Sequence, residues 1–149
     1  MMKITTYTPS REPAEQEFAE INEFLYNHLE QYGDAKTDIA KAMEYSLGRN
    51  NTAGGFMLTA KDDTDNITGA VVVNNTGMNG YIPGHILVYI ATHNEHRGKG
   101  IGKELMQAAI EAANGDMALH VEPNNPAKIL YEKLGFTNKY LEMRLTNNK

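Results

Sequence analysis

The chain contains no cysteine. That absence removes disulfides, thiolate nucleophiles and Cys-ligated zinc or iron–sulfur sites together. It also contains no run of about 18 apolar residues, so the sequence offers no membrane-spanning helix. Residues 1–10 lack the apolar core of a secretory signal, and a cytoplasmic location is the expectation. Positive charge is scarce as well: 14 Lys and Arg stand against 19 Asp and Glu, a formal net charge of −5 that disfavours nucleic acid and anionic membrane as partners. An anionic ligand would have to be captured by a local concentration of positive charge.

What the chain does have is a globular composition. With 41% hydrophobic and 22% charged residues over 149 positions, it is suited to one hydrophobic core and not to wholesale disorder or a collagen-like repeat. No internal repeat or low-complexity tract divides it, so residues 1–149 read as a single domain.

Periodicity supplies the elements. Residues 3–8 alternate weakly, as a first strand would. Phe18, Ile21, Leu25, Leu29 and Tyr32 recur at three- and four-residue steps and predict a helix over 13–32, ended by Gly33-Asp34. A second helix is expected over 37–47, with Ile39, Met43 and Leu47 on one stripe. After Gly55 the period changes: 56–60 and 67–73 read as strands of a hairpin around the polar turn 61–66, and 86–91 as a strand buried on both faces. A helix through Ala113, a strand over 117–122, a short helix over 126–134 and an alternating strand over 140–145 complete the order. Strand–helix–strand from residue 86 onward predicts a parallel pair joined by a crossover, next to antiparallel neighbours. The fold class is mixed α/β, a mixed central sheet flanked by about four helices.

The segment His96-Arg97-Gly98-Lys99-Gly100-Ile101-Gly102-Lys103 holds the local positive charge that the whole chain lacks. It sits between a buried strand and an amphipathic helix, where backbone N–H groups and the positive end of the helix dipole converge on an anion. Spacing excludes two phosphate motifs. Lys103 and Glu104 fall where a Walker loop needs Gly-Lys followed by Ser or Thr, counted four residues on from Gly98, and Lys103 falls where G-x-G-x-x-G needs its third glycine. What remains is R-x-x-G-x-G at Arg97, Gly100 and Gly102. It resembles the acetyl-CoA pyrophosphate loop of the GNAT N-acetyltransferase superfamily. Downstream, residues 124–136 are similar to that family's second signature, N-x-x-A-x-x-L-Y-x-x-x-G-F, carried by Asn124, Ala127, Leu130, Tyr131, Gly135 and Phe136. The likeness is close over 86–136, and over the earlier segments it extends to element order only.

The resemblance implies acetyl-CoA as co-substrate, bound by Arg97, Gly98, Lys99, Gly100, Ile101, Gly102 and Lys103. It implies that the two parallel strands splay at a bulge, with backbone of Ile90 and Thr92 pairing with the pantetheine arm. The connection after Val121 is a residue short of the family pattern, so Asn124 and Asn125 are both candidates to face the cofactor. Tyr131 occupies the family's tyrosine position, beside the leaving thiolate, and is implied as general acid. For the base, Glu122 and His120 near the end of their strand are the candidates, with Tyr89 on the neighbouring strand a third. His85, His93 and His96 do not repeat a helical ligand step, and no metal is expected. The acceptor is expected to be an amine of a small molecule or peptide, meeting the N-terminal helices and the 75–84 loop, in a monomer or homodimer. Without an enzyme thiol, direct transfer within a ternary complex is favoured over a cysteinyl intermediate. The competing reading is a non-catalytic acyl-CoA sensor, which would keep the glycine loop but need no acid or base.

Overall fold

A computed structural model describes residues 2–148. By density of contacts the chain falls into two compact units, Met1–Leu119 and His120–Lys149. The first contains a five-stranded sheet in the order β1-β2-β3-β4-β5. These strands are β1 (Lys3–Tyr7), β2 (Gly55–Lys61), β3 (Ile67–Asn75), β4 (His85–Thr92) and β5 (Met117–Leu119). Pairing is antiparallel from β1 through β4, and β4–β5 is parallel. Three helices belong to this unit, α1 (Glu15–Leu29), α2 (Lys36–Ser46) and α3 (Ile101–Ala112). The fourth, α4 (Ala127–Lys133), lies in the second.

Both faces of β2 and β3 are covered, which is why their sequences read as nearly continuous apolar runs. Ile21, Phe24 and Leu25 of α1 and Ile39 and Met43 of α2 form one core with Met57, Ala70, Val72, Tyr89 and Ala91. On the opposite face, a Cβ added at Gly69 would run into Leu105 of α3, so the 69, 71, 73 side of β3 is the side on which α3 packs. The β2–β3 turn is closed by Asp62, whose Oδ1 accepts from the Thr64 and Asn66 N–H groups, each at 3.0 Å. Gly55 is fixed by close approach: a Cβ there would meet the Val73 carbonyl and the Asn74 backbone. Gly55→Ala should therefore destabilise the protein by about 2 kcal/mol, read from urea unfolding.

Two expected elements differ. The strand predicted over 117–122 stops at Leu119, and it is the edge strand, not a central one. His120 and Glu122 consequently lie outside the sheet and are exposed. The strand predicted over 140–145 is absent: Tyr140, Leu141, Met143 and Leu145 are all largely exposed and pair with no strand. Alternation makes a segment fit to be a strand, but a strand exists only where another edge takes its hydrogen bonds.

Candidate active site

Strand β4 carries a bulge. Its register to β3 steps from Tyr89↔Val72 to Leu87↔Val73, leaving Val88 as the extra residue. The bulge reverses alternation, so Leu87 and Tyr89 face opposite sides of the sheet although they are two residues apart. On its other edge β4 pairs with β5 only over His85, Ile86 and Leu87. Beyond the bulge that ladder has ended. The His93 N–H donates to the Thr68 carbonyl at 2.8 Å. Counting back by twos, Ala91 and Tyr89 turn their backbone groups toward β3, whereas Thr92 and Ile90 turn theirs toward the edge that β5 leaves after Leu87.

This edge leads directly into the glycine loop. Gly98 and Gly100 both have φ of +83°, and a Cβ at either would meet nothing within 4 Å. Gly100 is the residue preceding α3, and no side chain caps that helix. The Glu104 N–H bonds back to the Gly100 carbonyl, leaving the first-turn N–H groups of Ile101, Gly102 and Lys103 without intrahelical acceptors. Left-handed backbone on both sides of Lys99, uncapped amides and two lysines fit a pyrophosphate. Arg97 is already engaged: Nη1 lies 3.2 Å from Glu30 Oε1, and Nη2 donates to the His28 carbonyl at 2.9 Å.

The α1 end that holds Arg97 also limits Tyr89. The Tyr89 hydroxyl donates to Asp34 Oδ2 at 2.5 Å. Burial first, then Asp34, pushes this phenol well above its ordinary range. A group that resists losing its proton and is bonded to a carboxylate is no base, which removes Tyr89 from that role. The histidines also sort differently from the sequence. His85 stands at the far end of β4, its Nδ1 2.9 Å from Asn75 Oδ1 and its Nε2 accepting the Asn114 N–H at 3.1 Å. His93 lies between His96 and His28 of α1, with ring contacts to both. Among the described residues, no group of three or more His, Asp or Glu side chains is arranged to hold a metal ion.

The 75–84 loop lines a polar cleft of about 360 Å³ together with Asn114, Gly115 and Asp116. That cleft lies at the amino end of β4, about 23 Å of strand from its carboxyl end, after which the glycine loop follows. Of the two regions expected to meet an acceptor, only the α1–α2 connection adjoins the carboxyl end of β4.

In the second unit, Asn125 Oδ1 accepts the Ala127 N–H at 2.9 Å at the start of α4, leaving its amide N–H groups as donors. Asn124 is exposed. Tyr131 is 7% exposed and packs edge-on against Phe136, with ring centroids 6.1 Å apart. Burial pushes its phenol up to about 12. Among the described residues, its hydroxyl makes no hydrogen bond within the protein.

A family model described as an acetyltransferase (GNAT) domain matches residues 53–138, more than half of the chain and on both sides of residue 119. The chain belongs to the GNAT acetyltransferase family. No curated protein sequence matches it. Solved structures with the same fold as this GNAT domain include a ribosomal-protein-alanine N-acetyltransferase from Brucella melitensis biovar Abortus 2308, at 19% identity and TM-score 0.68, covering 99% of this chain and 100% of that one. The aminoglycoside N-acetyltransferase AAC(6')-Iy in complex with CoA aligns at 15% identity and TM-score 0.70, covering 100% and 96%. A GNAT family acetyltransferase from Streptococcus pneumoniae TIGR4 aligns at 17% identity and TM-score 0.69 over the full length of both chains. At these identities the likeness is one of fold. Among the described residues of this GNAT domain, no helix is long and apolar enough to cross a membrane.

Proposed function

We propose that the chain, acting as one domain over residues 1–149, moves an acetyl group from acetyl-CoA directly to a primary amine of a small molecule or peptide while both are bound. The observation that carries this reading is the continuity of two features in one unit: a strand edge left by β5 beyond Leu87, and an uncapped helix start with bare glycine backbone. Two of the fold neighbours are named for amine acceptors, one a ribosomal-protein alanine and the other an aminoglycoside.

Acetyl-CoA supplies an activated thioester. The chain's own residues bind, orient and move protons. Amides of Gly98 to Lys103, with the charges of Lys99, Lys103 and Arg97, hold the pyrophosphate. Ile90 and Thr92 offer backbone donors and acceptors to the pantetheine amides, as an added strand would. Asn124 or Asn125 contacts the same arm. An alkyl amine titrates near 10.4 on the lysine scale and must lose a proton before it attacks. Glu122 or His120, both exposed and untied to a strand, takes that proton directly or through water. Tyr131 faces the leaving sulfur as a donor. Burial raises this phenol, so it stays protonated and is in the state to donate. Tyr131 therefore serves as general acid, giving its proton to the sulfur as the carbon–sulfur bond breaks.

The acidic chain, a cytoplasmic location and the absence of nucleic acid or membrane from its partners are parts of the same proposal, as is a monomer or homodimer. Acetyl-CoA at 100 times its Kd should stabilise the fold by about 2.7 kcal/mol and raise the Tm by several degrees. Thiol release with an amine panel then tests transfer. Stabilisation without release from any amine would leave a CoA-binding sensor in place of an enzyme.

A further inference from the structure

A row of tilted ring contacts that the chemistry above does not use joins α1 to the β4–α3 connection. His28, in the last turn of α1, lies against Phe24 with ring centroids 4.5 Å apart and against His93 at 4.2 Å, and His93 meets His96 at 5.0 Å. Hydrogen bonds accompany the ring contacts. His28 Nδ1 accepts the Asn94 N–H at 3.2 Å, and His93 Nδ1 accepts the Glu95 N–H at 3.1 Å. The His28 carbonyl accepts from Arg97 Nη2. Residues 94, 95 and 97, immediately before the glycines, are thus hung from two imidazoles and the backbone of one of them.

An imidazole nitrogen accepts a hydrogen bond only while it carries no proton. Both rings must then be neutral, with the proton on Nε2. A proton added at either Nδ1 would aim a donor at a backbone N–H and set an imidazolium beside the Arg97 guanidinium. We propose that His28 and His93 form a neutral-imidazole clamp that holds the glycine loop in its cofactor-receiving form and releases it when either ring is protonated.

The surrounding charges are mixed. Arg97 and His93 oppose a proton on His28, while Glu30 and Glu95 favour one. Asp62 of the β2–β3 turn is weakly attracted to His96 across space, and Lys99 Nζ lies 3.4 Å from His96 Nδ1. For His28 burial leads, followed by His93 and Arg97, and together they hold it below the ordinary imidazole value of 6.5. A group lowered on folding contributes stability that is complete above its unfolded value and is lost as pH falls through the folded one. Release therefore belongs to the window below pH 6.5.

The inference rests on the acetyl-CoA reading of the loop, and the experiment separates the two. Amide hydrogen exchange on the ligand-free protein should show Asn94 and Glu95 losing about tenfold protection, corrected for intrinsic rate, between pH 7.5 and 5.5. The His93 amide, bonded to Thr68 in the sheet, should keep its protection. Calorimetry with CoA should show wild-type affinity falling about tenfold more over that range than the affinity of His28→Asn/His93→Asn, whose amide oxygens accept without titrating. The cofactor's own phosphate titration cancels in that comparison. Unchanged protection at Asn94 and Glu95, parallel CoA profiles, or a wild-type affinity that rises on acidification relative to the variant would each overturn the clamp. If the double variant does not fold, Asn94 protection in His28→Asn decides in its place. A protein that binds no CoA at pH 7.5 sinks the acetyl-CoA reading, while the exchange data still judge the clamp.

Discussion

Gly98→Val/Gly100→Val should reduce acetyl-CoA affinity by at least about 100-fold in a protein that still unfolds cooperatively. Both glycines sit at φ +83°, where a β-branched residue is strained by about 1–3 kcal/mol. Because the loop is exposed and a Cβ at either position meets nothing within 4 Å, the variant relieves that strain by rotating the loop back to negative φ. Restoring the receiving conformation then costs binding roughly 3 kcal/mol over two sites, which is about a factor of 100 in Kd. Burying the amides behind two isopropyl groups adds to the loss. Calorimetry with acetyl-CoA, beside a thermal melt of each protein, checks it. Near wild-type affinity in the folded variant would place the pyrophosphate elsewhere.

Tyr131→Phe should lower kcat about 100-fold and leave the Kd for acetyl-CoA within about twofold. The split follows from where the hydroxyl acts. Its ring, buried against Phe136, is retained by phenylalanine, so packing survives. The hydroxyl has no hydrogen bond within the described protein to lose, so stability should change little. What disappears is a donor to a sulfur that becomes anionic only as it leaves, and such a donor changes kcat more than ground-state binding. Single-turnover thiol release, with binding measured in parallel, reads both quantities. Equal turnover would remove Tyr131 from the chemistry. A matched loss of affinity and stability would make it a packing residue.

Most of the sheet could be read from the sequence because its signal is local. β2, β3 and β4 are bounded by glycine and asparagine turns; β2 and β3 are covered on both faces, whereas β4, the strand expected to be buried on both, alternates between buried and half-buried residues. The glycine loop was legible for a similar reason: Gly98, Gly100 and the basic residues are adjacent in the chain. His28 was not. It lies 65 positions before His93, on a helix whose spacing shows only that Leu25 and Leu29 face inward, and nothing local marks the ring as an acceptor for Asn94. The Tyr89–Asp34 bond, across 55 residues, was hidden for the same reason. Residues 117–122 and 140–145 were over-read, since alternation measures fitness for an edge and carries no information about whether an edge is there.

By itself, then, the sequence determined composition, the order of elements as far as α4 and the basic, glycine-rich character of the loop before α3, because each depends on neighbours along the chain. It also determined that no cysteine can carry the acyl group. The tertiary structure decided what depends on distant partners. It ended β5 at Leu119, tied Arg97 to Glu30, removed Tyr89 as a base and brought an imidazole from α1 onto the loop before the glycines. Those outcomes turn on which hydrogen-bonding groups find a partner in space, and chain order does not specify that.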